Sequence, residues 1–252
     1  MTVAATTETG IGRIELNHPP LNILTRDVLR GIHAELRRLA DQPDLRVLLL
    51  TAAGEHFSAG ADVGEHLPPH HLSMIPDFLE AVAALDAFPL PVIAAVRGKC
   101  LGGGFELVQA VDLIVAGTGA GFGQPEIALG VFPPVACVLL PERVPPAVAA
   151  RLIYHGGPMS AAEAERWGLV ARVVPDEDVD RAALEEARGL ARHSAVALRA
   201  AKHALRGGGA PARHAALRAA GHIYLHELMD THDAVEGLRA FTEKRRPVWR
   251  HA

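Results

Sequence analysis

An α/β fold is predicted by three features of this 252-residue chain. Residues 47–50 and Val92–Val96 are short continuous apolar runs, the pattern of strands covered on both faces. Helical stretches are interleaved with these strands, as an α/β core requires. Hydrophobic types make up 49% and charged types 21%, which is ordinary for a packed globular chain. The length suits one large domain or a domain with an appendage.

In chain order, Ile11–Leu16 alternates apolar and polar residues as a half-buried strand does. His18-Pro19-Pro20 then turns the chain. Thr25 is a fitting N-cap for a helix to about Ala40, because Val28, Leu29, Ile32, Leu36 and Leu39 recur on one face. Further helices are expected near 72–86, 103–111 and 146–155. From Asp178 onward the pattern is helical, with breaks at 207–211 and 230–233. Residues 1–175 therefore read as an α/β core and 176–252 as a C-terminal helical region.

Composition excludes several functions. Lys+Arg 25 against Asp+Glu 29 gives a net charge of −4, so no global positive field attracts nucleic acid or anionic lipid. No apolar run approaches the roughly 18–20 residues that span a bilayer. The start of the chain lacks the basic and apolar regions of a secretion signal. Cys100 and Cys137 cannot make a disulfide framework, which favours a reducing, cytoplasmic location. Locally, residues 187–226 carry seven Arg or Lys and no Asp or Glu, so solvated helix faces, anion binding and RNA binding all remain open there.

Three stretches carry chemistry. His56-Phe-Ser-Ala-Gly-Ala-Asp-Val63 is a small-residue loop after a strand, either a tight turn or a place where a ligand approaches backbone N–H groups. Gly98-Lys-Cys-Leu-Gly-Gly-Gly-Phe-Glu106 runs from a buried strand through glycines into a helix start. It either packs helix on strand closely or presents free N–H groups to anionic oxygen. It is neither a dinucleotide fingerprint nor a phosphate-binding loop of the Gly-Lys-Ser/Thr kind. Glu106 lies in a helix too apolar to be exposed, so it is either dipole-stabilised or a carboxylate with its pKa raised toward neutrality. In Gly121-Phe-Gly-Gln-Pro-Glu126, Glu126 is a second acid, a surface glutamate or a partner to Glu106 across a cleft. Asp62, Glu65, His66, His70 and His71 cluster around Leu67-Pro-Pro69, which favours a flexible lid with solvated histidines over a metal site. Ser58 lacks the G-x-S-x-G setting of a hydrolase nucleophile.

Taken together, these stretches resemble the crotonase, or enoyl-CoA hydratase/isomerase, superfamily. The carrying motifs are Phe57-Ser-Ala-Gly-Ala-Asp62, Gly98 through Glu106, Phe122-Gly-Gln-Pro-Glu126 with Leu129-Gly130, and Phe241-Thr-Glu-Lys-Arg-Arg246. The resemblance implies a spiral of ββα turns and a C-terminal helical part that builds trimers, commonly paired into hexamers. It implies acyl-CoA thioester substrates, with coenzyme A part of the substrate, no other cofactor and no metal. The family's oxyanion hole maps onto the N–H groups of Ala61 and Gly103. Ala59, Asp62 and Val63 fall in the stretch lining the nucleotide site, and Phe241 and Lys244 match positions that contact coenzyme A.

Hydratases of this family carry two acids, and Glu106 and Glu126 match both. The implied activity is that of a hydro-lyase adding water across an α,β-unsaturated acyl-CoA. Glu106 would deprotonate the water that attacks Cβ, and Glu126 would protonate Cα. A double-bond isomerase of the same fold is the alternative, and an RNA-binding member the less favoured one. Where many hydratases continue Pro-Gly-x-Gly-Gly after Leu129-Gly130, this chain has Phe132-Pro-Pro134-Val-Ala-Cys137. Phe132 and Pro134 put bulk beside the acyl pocket, and Pro134 offers no N–H. His18-Pro-Pro-Leu-Asn-Ile-Leu24 and Val131-Phe-Pro-Pro-Val-Ala136 resemble the subgroup that hydrates cyclic dienoyl-CoA in aromatic breakdown.

Overall fold

Strands β1 (Val3–Glu8) and β2 (Ile11–Leu16) form an antiparallel hairpin in the computed structural model, which describes residues 3–206 and 209–252. Its two-residue turn puts both Thr9 and Gly10 at positive φ, as a tight hairpin requires. β1 goes beyond the sequence expectation, because Val3-Ala-Ala-Thr-Thr-Glu buries only its first residue and so carries no alternation. β2 is followed in parallel by β3 (Val47–Ala52), β4 (Val92–Val96), β6 (Leu113–Gly117) and β9 (Arg172–Val174), giving the order β1-β2-β3-β4-β6-β9. β5 (Lys99–Leu101), β7 (Gly121–Gly123) and β8 (Met159–Ser160) make a second, three-stranded sheet.

The two sheets explain the spiral. The chain runs along a strand of the large sheet, steps into the small layer, and then turns into a helix. β4 leads through β5 into α3 (Gly103–Gln109), and β6 leads through β7 into a 3₁₀ turn at Pro125–Leu129. The loop after β3 joins the same layer through a bridge between Ser58 and Cys100. Successive turns therefore stack the three chemistry-bearing stretches on one side of the sheet.

Helices cover both sheet faces, which is why 47–50 reads as an unbroken apolar run. α1 (Arg26–Ala40) buries the five residues expected of it, and the Thr25 hydroxyl caps it by accepting from Val28 N. With α2 (His71–Asp86), it packs over Leu48 and Leu50. Val47 and Leu49 point the other way with Ile93 and Val115. There α7 (Val179–Ala191) covers them with Val179, Ala182, Ala183 and Ala187. Between these lie α4 (Ala136–Arg143), α5 (Pro146–His155) and α6 (Ala161–Arg166). The C-terminal region continues with α8 (Ala195–Arg206), α9 (Gly209–Ile223), a π-helical turn at Tyr224–Leu228, and α10 (His232–Thr242). Of the break expected at 207–211, Gly207 and Gly208 lie outside the described residues, and Gly209, Ala210 and Pro211 are the first turn of α9 instead. Thr231 ends the break expected at 230–233 by capping α10.

Three of the seven cations of the acid-free basic stretch have counter-charges elsewhere in the chain. Lys202 meets Asp112 at 2.6 Å, and Arg206 bridges Asp112 at 2.7 Å and Asp86. Arg213 also reaches Asp86, at 3.3 Å. Asp86 ends α2 and Asp112 precedes β6, so these three cations tie the C-terminal helices to the core rather than facing outward together.

Candidate active site

The loop after β3 is fixed by its neighbours on both sides. Phe57 N donates to Arg97 O at 2.9 Å, Ser58 N to Lys99 O at 3.0 Å, and Ala59 N to Leu21 O at 2.8 Å. Ser58 is fully buried; its hydroxyl donates to Asn22 O and accepts from Gly60 N, a structural task with no room for nucleophilic chemistry. The buried Asn22 ties the same loop down through Ala53 O and His56 O, both at 2.8 Å. Ala61 is thereby held beside the start of α3. A methyl group added at Gly103 would sit 3.3 Å from Ala61 N, so the two backbones approach as closely as glycine allows. Neither the Ala61 nor the Gly103 N–H joins the turn and loop hydrogen bonds among the described residues.

Glu106 sits one turn into α3 and is 3% exposed. One carboxylate oxygen, Oε1, accepts from Val135 N at 2.8 Å and Ala136 N at 3.0 Å, the two amides that follow Pro134 and open α4. Burial pushes its pKa up to about 7, although these two hydrogen bonds oppose the rise. The other oxygen, Oε2, has no protein partner among the described hydrogen bonds.

Glu126 lies in the 3₁₀ turn that follows β7. Burial raises its pKa well above the usual carboxylate range, and the charge of Glu106 raises it further. Gly102, at φ +51, leaves space for this side chain, since a Cβ there would stand 2.8 Å from Glu126 Oε1. With its amide nitrogen toward the carboxylate, the orientation its neighbours favour, buried Gln124 donates to both Glu126 oxygens at 3.2 and 3.1 Å. It also accepts from Gln109 Nε2 at 2.9 Å.

A pocket of about 350 Å³ brings these groups together. Glu106 and Glu126 line it with Ala59, Ala61, Val63 and Gly103, and its apolar wall includes Met74, Ile75, Phe78, Phe132, Pro134 and Leu238. Phe241 also lines it, from α10. Two expected residues stand apart in this chain. Asp62 does not line the pocket and instead accepts from Glu65 N at 3.1 Å. Lys244 is exposed beyond the end of α10, in the left-handed region at φ +54. The solvated lid expected of Asp62, Glu65, His66, His70 and His71 holds only for His70: His71 is buried at the start of α2 and His66 lines the pocket, while Glu65 accepts from Arg26 N and His66 Nδ1 faces Asp62 O. Among the described residues no three His, Cys, Asp or Glu side chains group to hold a metal.

Sequence reasoning missed His66 as a pocket residue, and also Gln124, Tyr224 and Arg245. For Tyr224 the available signal was a lone aromatic in an Ala-, Arg- and His-rich helix.

Residues 6–252 match the family model described as enoyl-CoA hydratase/isomerase. The cyclohexa-1,5-dienecarbonyl-CoA hydratase of Thauera aromatica is 42% identical over 238 residues, covering 94% of this chain and 92% of that protein. A probable enoyl-CoA hydratase of Mycobacterium bovis is 38% identical over 244 residues, covering 96% and 95%. The crystal structure of an enoyl-CoA hydratase/isomerase from Pseudoalteromonas atlantica superposes with a TM-score of 0.91 at 28% identity, covering 99% of this chain and all of the other.

Proposed function

From the premise that this chain belongs to the enoyl-CoA hydratase/isomerase family, we propose that it is a hydro-lyase adding water to an α,β-unsaturated acyl-CoA. The observation carrying this reading is the meeting of two buried acids with the free amides of Ala61 and Gly103 in one pocket. Glu106, with a pKa near 7 and two amides favouring its ionised form, is available as a base. Glu126, whose pKa is raised by burial first and by the charge of Glu106 second, is available as an acid. The division of roles follows from their surroundings: two amides hold one oxygen of Glu106, and the charge of Glu106 favours the protonated form of Glu126.

The amides of Ala61 and Gly103 bind the thioester oxygen and stabilise the enolate as its charge develops, a contribution worth roughly 10²–10³ in rate per donor. The free oxygen of Glu106 takes a proton from water as that water attacks Cβ. Glu126 gives its proton to Cα, after which proton exchange with solvent restores the pair. Each proton transfer supplies roughly 10²–10⁴. No metal or nucleotide cofactor enters this sequence of steps.

The 42% identity to a cyclic dienoyl-CoA hydratase supports a cyclic dienoyl substrate, as does the bulk of Phe132 and Pro134 along the pocket. Phe241, at the pocket edge, and Lys244 contact the coenzyme A portion, with Ala59, Asp62 and Val63 near its nucleotide. Assembly is as a homotrimer or a dimer of trimers. In support, the C-terminal helices leave Val196 77%, Leu205 85% and Ile223 44% exposed in the single chain, apolar area that a subunit interface would cover. A cytoplasmic location and a partner other than nucleic acid are supported by the two lone cysteines and the net charge of −4. Among the described residues no helix is long and apolar enough to cross a membrane.

Linear enoyl-CoA, cyclic dienoyl-CoA and aromatic acyl-CoA thioesters, incubated in parallel and followed by product mass, test the proposal. A gain of one water on the cyclic dienoyl or a linear enoyl substrate is expected. No hydrated product from any of them, or a shifted double bond without hydration, refutes it.

A further inference from the structure

The apolar side of the pocket carries a second polar pair. Tyr224 lines the pocket at 1% exposure, and its hydroxyl is buried without a hydrogen-bond partner among the described residues. A phenylalanine would fill the same space and avoid the cost of an unpaired buried hydroxyl. The ring is set edge-on against Phe132, with centroids 5.6 Å apart. It opens the π-helical turn Tyr224–Leu228, where Met229 N donates back to Tyr224 O at 3.0 Å. Such turns are rare and recur at functional sites.

His66 lies nearby on the same pocket, its ring centre 6.2 Å from that of Tyr224. Its Nδ1 stands 2.8 Å from Asp62 O, which can only accept, so Nδ1 carries the proton and Nε2 presents a lone pair. Burial keeps the ring neutral by lowering its pKa. The wall thus offers one donor and one acceptor. A hydroxyl group complements both, accepting from Tyr224 and donating to His66 Nε2. A ketone satisfies only the tyrosine, and a hydrocarbon satisfies neither.

We propose that Tyr224 and His66 form a hydroxyl-binding subsite of the acyl pocket, so that the favoured acyl group carries a hydroxyl, either the one hydration installs or one already present further along. The inference rests on the acyl-CoA reading of the pocket and adds to it the polarity of the acyl group.

Calorimetric titration of the full chain with a saturated linear acyl-CoA and its β-, γ- and δ-hydroxy analogues tests this without turnover. At least one hydroxylated isomer is expected to bind about 10-fold tighter than the unsubstituted thioester, the net gain of two hydrogen bonds after the hydroxyl is desolvated. Gain at the β position identifies the hydroxyl of the hydration product, and gain at γ or δ an oxygen already present. Tyr224→Phe should abolish the preference without lowering the melting temperature, whereas a purely structural tyrosine would lower it. His66→Leu should abolish the preference as well. Equal binding of all four thioesters by the unaltered protein, or a preference that survives Tyr224→Phe, overturns the subsite. A failure of enoyl thioesters to be hydrated bears on the catalytic reading alone, because these titrations require no hydration.

Discussion

In Glu106→Gln the side-chain volume is conserved, and the remaining oxygen can still accept from Val135 N and Ala136 N, now 2.8 and 3.0 Å away. What disappears is a charge in a site that is 3% exposed. The fold raises the Glu106 pKa from the ordinary 4.5 to about 7. At about 1.4 kcal/mol per pH unit, the ionised group therefore destabilises the folded chain by about 3 kcal/mol. Below pH 4.5 the group is protonated in both the folded and unfolded chains and contributes nothing. Between pH 4.5 and 7 the unfolded chain ionises first and stability is lost; above pH 7 the loss is complete. Glutamine has no such dependence. Urea unfolding at pH 5 and pH 8 should find the variant little changed at the lower pH and about 3 kcal/mol more stable at the higher. Hydration should fall roughly 10²–10⁴-fold, and the rise of kcat/KM with pH through about 7 should vanish with it. A variant less stable than its parent at pH 8, or one retaining that limb of the profile, refutes the assignment of Glu106 as a buried base.

Glu126→Gln should also cost hydration roughly 10²–10⁴-fold, measured by loss of conjugated-thioester absorbance; full double-bond isomerisation with either acid neutralised would point instead to the isomerase alternative. Gly102→Ala, forced to hold φ +51 with its methyl 2.8 Å from Glu126 Oε1, should lower kcat at least about 10-fold and lose roughly 1–3 kcal/mol of stability in urea. Asp86→Ala strands Arg206 and Arg213 against a carboxylate site that is 0% exposed. It should destabilise by roughly 3–5 kcal/mol, with tryptic cleavage appearing first in the C-terminal helices.

Legibility differed by the kind of physics involved. The helix Arg26–Ala40 and the parallel strands β3 and β4 were readable because one-dimensional periodicity and capping determine them: five apolar residues share a face, and Thr25 stands where a cap must. Glu106 was readable for a related reason, a glutamate in a helix too apolar to be solvated. β1 was hidden because an edge strand buried at a single residue has no alternation to detect. For Lys202, Arg206 and Arg213 the charged face suggested by the stretch 187–226 is replaced by ion pairs that no local pattern could show, since Asp86 and Asp112 lie about a hundred residues earlier in sequence. Tyr224 escaped for the same reason. Its pocket is closed by six separate stretches of the chain, and no local pattern announces an unpaired hydroxyl.

The site and the fold pull in opposite directions, and their balance explains why the surroundings are so heavily tied. Two carboxyls raised by burial and a tyrosine hydroxyl without a partner all disfavour the folded state of the free protein. Against them stand the fully buried faces of β3 and β4, the Asn22 and Ser58 hydrogen bonds, and the paired amides of Val135 and Ala136. These last restrain the very groups that are destabilising. Relaxing them would relieve the strain but would let Glu106 rotate toward solvent and lose its raised pKa. The instability is therefore a condition of the chemistry: each carboxyl is raised chiefly by its own burial, so a more stable pocket made by solvating Glu126 would return that group toward the ordinary carboxylate range and remove the acid that completes the addition of water.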